Sequence, residues 1–180
     1  MASNLDILLI IDVECTCWGG PPPPDQRQEI IEIGLATFDT KAWKPLATHQ
    51  LIIKPVLSTV SKYCTDLTGW TAADLAGGWT FSAACNVLTD VYNSHQRVWV
   101  SWGDFDRKQF ELDCKRKAVN YPFGPGHINL KTIYALKQQL RRGVGMTTAL
   151  KQCELKLEGA HHRGVDDAWN TARILAKIGR

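Results

Sequence analysis

Two carboxylates, one residue apart, follow an apolar and β-branched run near the start of the chain. Asp12 and Glu14 come directly after residues 8–11, a run that predicts a buried central strand. Since residues i and i+2 of a strand point to the same face, both carboxylates should lie side by side where open α/β sheets build their sites. Carboxylates held that close repel each other unless a hard cation lies between them. The pair therefore predicts half of a magnesium site; the alternative is a strand that ends in solvent-exposed acids.

A third acid follows another apolar run in the middle of the chain. Residues 98–102 predict a second strand, and a helical pattern begins at Asp106. An aspartate at a strand-to-helix junction commonly serves as a helix N-cap. Asp106 on its own therefore does not indicate a site.

A histidine and a fourth acid lie near the C-terminus. His162 precedes Asp167 by five residues, at the start of a helix predicted over residues 165–178. A lone histidine in such a place is commonly structural. A histidine just ahead of a helix that carries an acid is, however, well placed for acid–base chemistry.

Taken in order, these motifs resemble those of the DEDDh superfamily of 3′→5′ exonucleases. The matching residues are Asp12 and Glu14, then Phe105 and Asp106, and finally His162 and Asp167. Residues 12–17 and 63–69 are similar to the Asp-x-Glu-x-Thr-Cys and Cys-x-x-Leu-Thr-Gly segments of the histone-mRNA and enhanced-RNAi exonuclease branch. The resemblance extends over residues 6–178.

The resemblance implies an α/β fold of the ribonuclease H-like kind, a mixed sheet flanked by helices, with residues 1–180 forming a single exonuclease domain. It also implies a metal-dependent 3′→5′ exoribonuclease that cuts phosphodiester bonds from a free 3′-OH end and releases 5′-mononucleotides. The expected partner is nucleic acid, RNA with a single-stranded 3′ end.

The resemblance also assigns roles to the acids and the histidine. Two Mg²⁺ ions, for which Mn²⁺ should substitute, would be held by carboxylates, which are the ligands that magnesium prefers. The expected ligands are Asp12, Glu14, Asp106 and Asp167. His162, whose ordinary pKa near 6.5 suits a base at neutral pH, would take the proton of the attacking water.

Substrate contacts are expected from the two branch-specific segments. Cys15 and Thr16 follow the acid pair, where the terminal ribose should lie, and Leu67 precedes the Thr-Gly of the second segment. Trp70 stands where the family has a branched aliphatic residue, and an indole can stack on a base for about 1–3 kcal/mol. The Leu-Thr-Gly segment is predicted to be a loop that presses on the last bases.

Two alternatives remain open from the sequence. One is a DNA-directed or proofreading-type 3′→5′ exonuclease, against which residues 101–102 argue, since they are Ser-Trp where many proofreading members have His-Asn. The other is an RNA-binding module that keeps the fold without the chemistry. All five candidate catalytic positions hold competent residues, which favours an enzyme.

Composition and charge are compatible with this interpretation. The 180 residues are 44% hydrophobic, enough for one globular core, and neither a signal segment nor a membrane span is indicated. The six scattered cysteines predict reduced thiols in a cytoplasmic protein, and nothing indicates the oligomeric state. The net charge of +3 is uneven, because residues 91–180 hold sixteen Lys and Arg against eight acids. Residues 115–117 and 141–142 are clusters that could follow a phosphate backbone.

The pattern of apolar residues predicts a mixed sheet with helices on both faces. Strands are expected at residues 6–13, 29–38, 47–54, 97–102 and 127–129. Helices are expected at residues 82–94, 106–119, 130–141, 146–153 and 165–178.

Overall fold

The computed structural model describes residues 4–179, and its centre is a five-stranded mixed sheet in the order β3-β2-β1-β4-β5. The strands are β1 (Asn4–Cys15), β2 (Ile30–Asp39), β3 (Lys44–Ile52), β4 (Arg97–Ser101) and β5 (His127–Asn129). The first three strands pair antiparallel, whereas β4 is parallel to both β1 and β5. The predicted α/β architecture and its five strands are confirmed, and β1 occupies the centre.

Seven helices occur within residues 4–179. They are α1 (Lys62–Thr68), α2 (Ala72–Leu75), α3 (Phe81–Asp90), α4 (Phe105–Lys117), α5 (Leu130–Lys137), α6 (Met146–Gln152) and α7 (Gly164–Ile178). The last five match the predicted helices to within about four residues at either end.

The prediction of a loop around the Leu-Thr-Gly segment was wrong. This part of the chain forms α1, whose first turn is capped by the Ser61 side chain, which accepts a hydrogen bond from the Cys64 N–H. Gly69 ends the helix with φ of 76°, a left-handed conformation that glycine adopts without steric cost. The helix is only two turns long, so hydrophobic periodicity gave little signal.

Both faces of β1 are covered, which explains its continuous apolar run. Leu8 and Ile10 belong to a core shared with α5, α6 and α7, whereas Leu9 and Ile11 belong to a core shared with α3 and α4. Asp12 and Glu14 follow Leu8 and Ile10 at steps of two residues, so their side chains lie on the same face of β1. They therefore face the side of the sheet that α7 covers.

The start of α7 lies directly on the sheet backbone. A Cβ placed on Gly34, the β2 residue opposite Asp12, would come within 1.9 Å of the carbonyl carbon of Gly164. A Cβ placed on Gly164 would meet the carbonyl oxygen of Asp12 at 3.1 Å. Only the absence of a side chain at both glycines allows this close approach. As a result, the first turn of α7 lies at the end of β1.

One of the two predicted basic clusters is partly buried. The ammonium group of Lys117 lies 2.9 Å from Glu29 and 3.4 Å from Asp113, two fully buried carboxylates, so it cannot follow a phosphate backbone. Arg116 donates to the backbone carbonyl of Gln28. The interpretation of residues 115–117 as a phosphate-binding cluster is therefore wrong for Lys117, whereas Lys115 and Arg116 are exposed and the prediction stands for them.

Three tryptophans belong to the core or pack against it, and the expectation of reduced cysteines agrees with the structure. Trp99 is fully buried, and Trp102 and Trp169 pack against the core beside α7. All six cysteines are free thiols. Within residues 4–179, no helix is both long and apolar enough to cross a membrane.

Candidate active site

Three of the four predicted acids meet where β1 ends beneath α7. Asp12 and Glu14 come from the strand, and Asp167 comes from the first turn of the helix. One carboxylate oxygen of each lies within 4.8 Å of the other two. Glu14 and Asp167 are buried, and Asp12 is partly exposed, so the cluster has an opening to solvent.

The fourth acid, Asp106, approaches the same end of β1 from the first turn of α4. The register of β1 with β4 runs as far as Ile10 opposite Val100, and the β1 backbone extends beyond it. There the Val13 N–H donates a hydrogen bond of 3.0 Å to Oδ1 of Asp106. Asp106 is only 4% exposed, and it adjoins the cluster of three without belonging to it.

The four carboxyl groups hold protons more tightly than ordinary acids do. Burial, and then the charges of Asp167 and Glu32, raise the pKa of Glu14 to about 8. Burial raises the pKa of Asp106 to about 6, and burial followed by the charge of Asp106 raises the pKa of Asp12 well above its usual range. The pKa of Asp167 is also raised, chiefly by burial. Full ionisation at neutral pH therefore requires added positive charge.

The donor set fits a hard divalent cation. Oδ1 of Asp167 is buried and has no hydrogen-bond partner within residues 4–179, a costly state for a carboxylate oxygen. Asp12 and Glu14 offer oxygen atoms on the same side. Clustered carboxylate oxygens with raised pKa values are what Mg²⁺, Mn²⁺ or Ca²⁺ would bind.

Two adjacent histidines border the cluster. Nδ1 of His161 lies 2.8 Å from Oδ2 of Asp167, and the backbone N–H of His162 donates to the same oxygen at 3.0 Å. The two imidazole rings stack with centroids 3.9 Å apart. Burial, and then the charge of His161, lower the pKa of His162. The structure thus brings the predicted base to the site, but the side chain that contacts Asp167 is that of His161, a partner that the sequence reasoning missed.

A fifth acid, Glu32 on β2, was also missed. It lies opposite Glu14 in the β1–β2 register and is fully buried. Its Oε1 accepts hydrogen bonds from the Gln50 side chain at 2.8 Å and from the Val165 N–H at 3.0 Å, and its Oε2 accepts from the Trp70 indole at 2.6 Å. Glu32 therefore ties the first turn of α7 to the sheet. The sequence signal that could have identified Glu32 was an acidic residue inside an otherwise apolar predicted strand.

The four predicted substrate-contacting residues fall into two groups. Cys15 and Thr16 are buried, and the Thr16 hydroxyl accepts hydrogen bonds from the Glu29 N–H and the Ser58 hydroxyl. Leu67 on α1 and Trp70 after it are partly exposed. The second pair therefore offers more side-chain surface than the first.

The fold and the carboxylate cluster indicate a nuclease, and comparisons with known proteins agree with this class. The model of the exonuclease family (RNase_T) matches residues 9–175. The chain belongs to that family, whose DEDDh members depend on divalent metal ions.

Relatives in animals carry matching names. The chain is 28% identical over 198 residues to the 3′-5′ exonuclease Snipper of Drosophila melanogaster, covering 96% of this chain and 69% of that protein. It is 27% identical over 186 residues to human 3′-5′ exoribonuclease 1, covering 98% of this chain and 53% of that protein. The chain thus spans about half the length of the human relative.

The nuclease domain of 3′hExo, a DEDDh family member bound to rAMP, has the same fold. The TM-score is 0.88 with 26% sequence identity, and the match covers 99% of this chain and 94% of that domain. The predicted ribonuclease H-like fold is confirmed.

Proposed function

We propose that this chain is a 3′→5′ exoribonuclease that hydrolyses phosphodiester bonds from a free 3′-OH end and releases 5′-mononucleotides. The observation that carries the proposal is the group of four buried or partly buried carboxylates at the end of β1, with raised pKa values, in a chain of the exonuclease family. A single exonuclease domain over residues 1–180 is part of the same proposal.

The cofactor in this proposal is a pair of Mg²⁺ ions, for which Mn²⁺ substitutes. When bound, such a pair activates a water and stabilises the leaving 3′-oxygen. The residues that would hold the ions are Asp12, Glu14, Asp106 and Asp167. The partnerless Oδ1 of Asp167 supports this assignment.

His162 is the proposed general base. Its lowered pKa keeps the imidazole neutral at pH 7, so a ring nitrogen is free to accept the proton of the attacking water. Asp167 receives the His162 N–H and the His161 side chain on Oδ2. That arrangement holds the residue pair against the carboxylate and leaves the other oxygen for the cation.

RNA is the proposed substrate because two segments resemble an RNA-directed branch and because several relatives are named exoribonucleases. Discrimination from DNA requires a contact to the 2′-hydroxyl, which both donates and accepts hydrogen bonds. We place the terminal ribose beside Glu14, with Cys15 and Thr16 behind it and Leu67 and Trp70 on the side of the bases. Loss of one buried polar contact costs about 1–3 kcal/mol, so a preference of roughly tenfold to a hundredfold is expected.

The decisive experiment follows 5′-labelled single-stranded oligomers on a sequencing gel. RNA, DNA and RNA with one 2′-deoxy residue at its 3′ end are compared in Mg²⁺, Mn²⁺ and EDTA, with Asp167→Asn as the inactive control. We expect a ladder that shortens from the 3′ end, abolished by EDTA, slowed by a 3′-phosphate, and faster on RNA than on the other two substrates.

The same experiment separates the alternatives. Equal kcat/KM values on all three oligomers would leave a general or DNA-directed exonuclease. Binding of RNA without cleavage in either metal would identify a catalytically silent RNA-binding module.

A further inference from the structure

The guanidinium group of Arg163 lies over an indole at the edge of the carboxylate cluster. Its central carbon is 3.7 Å from the ring centroid of Trp70. The indole is itself fixed, because its N–H donates to the buried Glu32 and its ring packs beside the small apolar cluster of Ile31, Cys64 and Leu75. The fixed indole of Trp70 therefore contacts one face of the Arg163 guanidinium.

The N–H donors of this guanidinium are unused. Within residues 4–179, Arg163 makes no side-chain hydrogen bond and no ion pair, although it is partly buried. A guanidinium has five donors in a planar fork, and no Arg163 nitrogen is both buried and without a partner in the described part of the chain, so these donors face solvent. The Asp74 carboxylate is within electrostatic range of Arg163 but forms no ion pair with it, so the fork is available to an external acceptor.

The location of Arg163 restricts what that acceptor is. It directly follows His162 in the chain, and its Nη1 lies beside Gly69, where α1 ends. The next residue, Gly164, lies against the Asp12 backbone, which places Arg163 beside the cluster. It is therefore a cation between the carboxylates and α1, on the side where the proposed function places the end of the substrate.

We propose that Arg163 binds a non-bridging oxygen of the phosphodiester at the 3′ end of the substrate, and that Trp70 is a positioning residue that acts through Arg163. This inference rests on the proposed function and adds the residue that recognises the backbone. A bidentate fork matches a phosphate, and an acid-rich site needs a fixed cation to admit one. Trp70 covers one face of the guanidinium, which leaves the N–H edges for a phosphate oxygen.

The identity of residue 70 supports the pairing. Trp70 offers a π face to the guanidinium, which an aliphatic side chain at this position would not. Tryptophan is the aromatic residue that attracts a cation most strongly. In this chain Trp70 is thus a support for Arg163 rather than a free stacking surface for a base.

The test measures binding of a 5′-fluorescein-labelled single-stranded RNA by anisotropy in EDTA, at several salt concentrations. For Arg163→Ala we expect about tenfold weaker binding, and a slope of log K against log[salt] that is smaller by about 0.7, the value for one phosphate contact on a single strand. Arg163→Lys should retain the slope and recover part of the affinity. Lys62→Ala, which removes an exposed charge on α1, is the control and should change the affinity less than twofold.

Two outcomes would overturn the assignment to phosphate. One is unchanged affinity in Arg163→Ala, and the other is weaker binding with an unchanged salt slope. Trp70→Leu tests whether Trp70 positions Arg163. This variant should weaken RNA binding by less than Arg163→Ala does. The double variant should bind RNA no more weakly than Arg163→Ala alone. Additive losses would show that Trp70 does not act through Arg163.

Hydrolysis of the same oligomer in Mg²⁺ separates this inference from the proposed function. Wild-type chain that leaves the RNA intact overturns the proposed function and the inference with it. Wild-type chain that shortens the RNA while Arg163→Ala has the same KM overturns the inference alone. The expected result is a KM about tenfold higher in Arg163→Ala, with the larger change in KM rather than in kcat.

Discussion

The carboxylate of Asp106 accepts a 3.0 Å hydrogen bond from the backbone N–H of Val13, the residue between the two acids of β1. This contact joins two elements 93 residues apart. The strand end that bears Asp12 and Glu14 is thereby fixed to the first turn of α4. The position of Asp106 relative to the other acids is consequently set by main-chain geometry.

The first prediction compares Asp106 with its neighbour Asp104. Asp106→Asn should lose at least about a thousandfold in rate, roughly 4 kcal/mol of barrier, because a cation ligand loses its charge. Asp104→Asn should lose little, since Asp104 accepts a hydrogen bond from Asn129 and lies 3.6 Å from Arg107. Single-turnover hydrolysis of RNA measures the rate of both variants. The opposite ranking would show that Asp104, and not Asp106, is the cation ligand.

The second prediction concerns the adjacent histidines. His162→Ala should reduce kcat by about a hundredfold or more while leaving metal affinity nearly intact, because His162 is the proposed base and not a ligand. His161→Ala should cost less, since it removes only the contact with Oδ2 of Asp167. Because the pKa of His162 is lowered, the rising limb of the kcat/KM–pH profile should lie below the ordinary histidine value of about 6.5.

A larger loss in His161→Ala would transfer the role of base to His161. Metal affinity, measured by calorimetry on each variant, distinguishes loss of a base from loss of a ligand. Retention of wild-type kcat in both variants would remove histidine from the mechanism.

The third prediction is a pH-dependent stability that the metal reverses. A carboxyl group whose pKa is raised on folding stabilises the folded state below its ordinary pKa and loses that contribution as pH rises through the folded value. For Glu14 the window runs from 4.5 to about 8, and for Asp106 from 3.8 to about 6. In EDTA, Glu14→Gln should therefore match wild type near pH 5 and exceed its Tm above pH 8.

Thermal unfolding of wild type and Glu14→Gln across this pH range provides the measurement. Mg²⁺ should raise the Tm of wild type more than that of the variant, and more at high pH, because cation binding replaces the protons. Glu111→Gln, at an exposed position, is the control. A Tm difference between wild type and Glu14→Gln that does not change with pH would contradict the prediction.

The fourth prediction concerns Glu32. Glu32→Ala leaves three donors without their acceptor, on Gln50, Trp70 and Val165. Gln50 is exposed and can turn to water, whereas the Trp70 and Val165 donors are partly buried. A donor left unpaired costs about 1–3 kcal/mol, so the free energy of unfolding should fall by about 2 kcal/mol or more, and less in Glu32→Gln. Urea unfolding measures this, and a loss within 0.5 kcal/mol, the range of a surface substitution, would show that the three donors find other partners.

The sequence was sufficient to predict most of the fold, because its strands and longer helices have strong periodicity. The central strand and the spacing of Asp12 and Glu14 follow from local pattern alone. The short helix α1 gave too little periodicity, although its cap residues Ser61 and Gly69 were present as signals.

The parts of the site that were missed depend on contacts between distant segments. The buried role of Glu32 depends on the β1–β2 register and on the position of α7, neither of which a local window contains. The pairing of Trp70 with Arg163 likewise joins residues far apart in the chain. Lys117 was predicted to be a surface cation. Its partners Glu29 and Asp113 come close to it only in the folded chain, so the sequence alone did not reveal its burial.

The contact between Gly34 and Gly164 has a consequence for protein engineering. It brings α7, which carries Asp167, against the β1 backbone at Asp12 without any intervening side chain. The spacing of the carboxylates should therefore withstand extensive redesign of the surrounding core, yet respond to a single added methyl group at either glycine. A library intended to change substrate preference would keep both glycines fixed and randomise α1 and the residues that follow it.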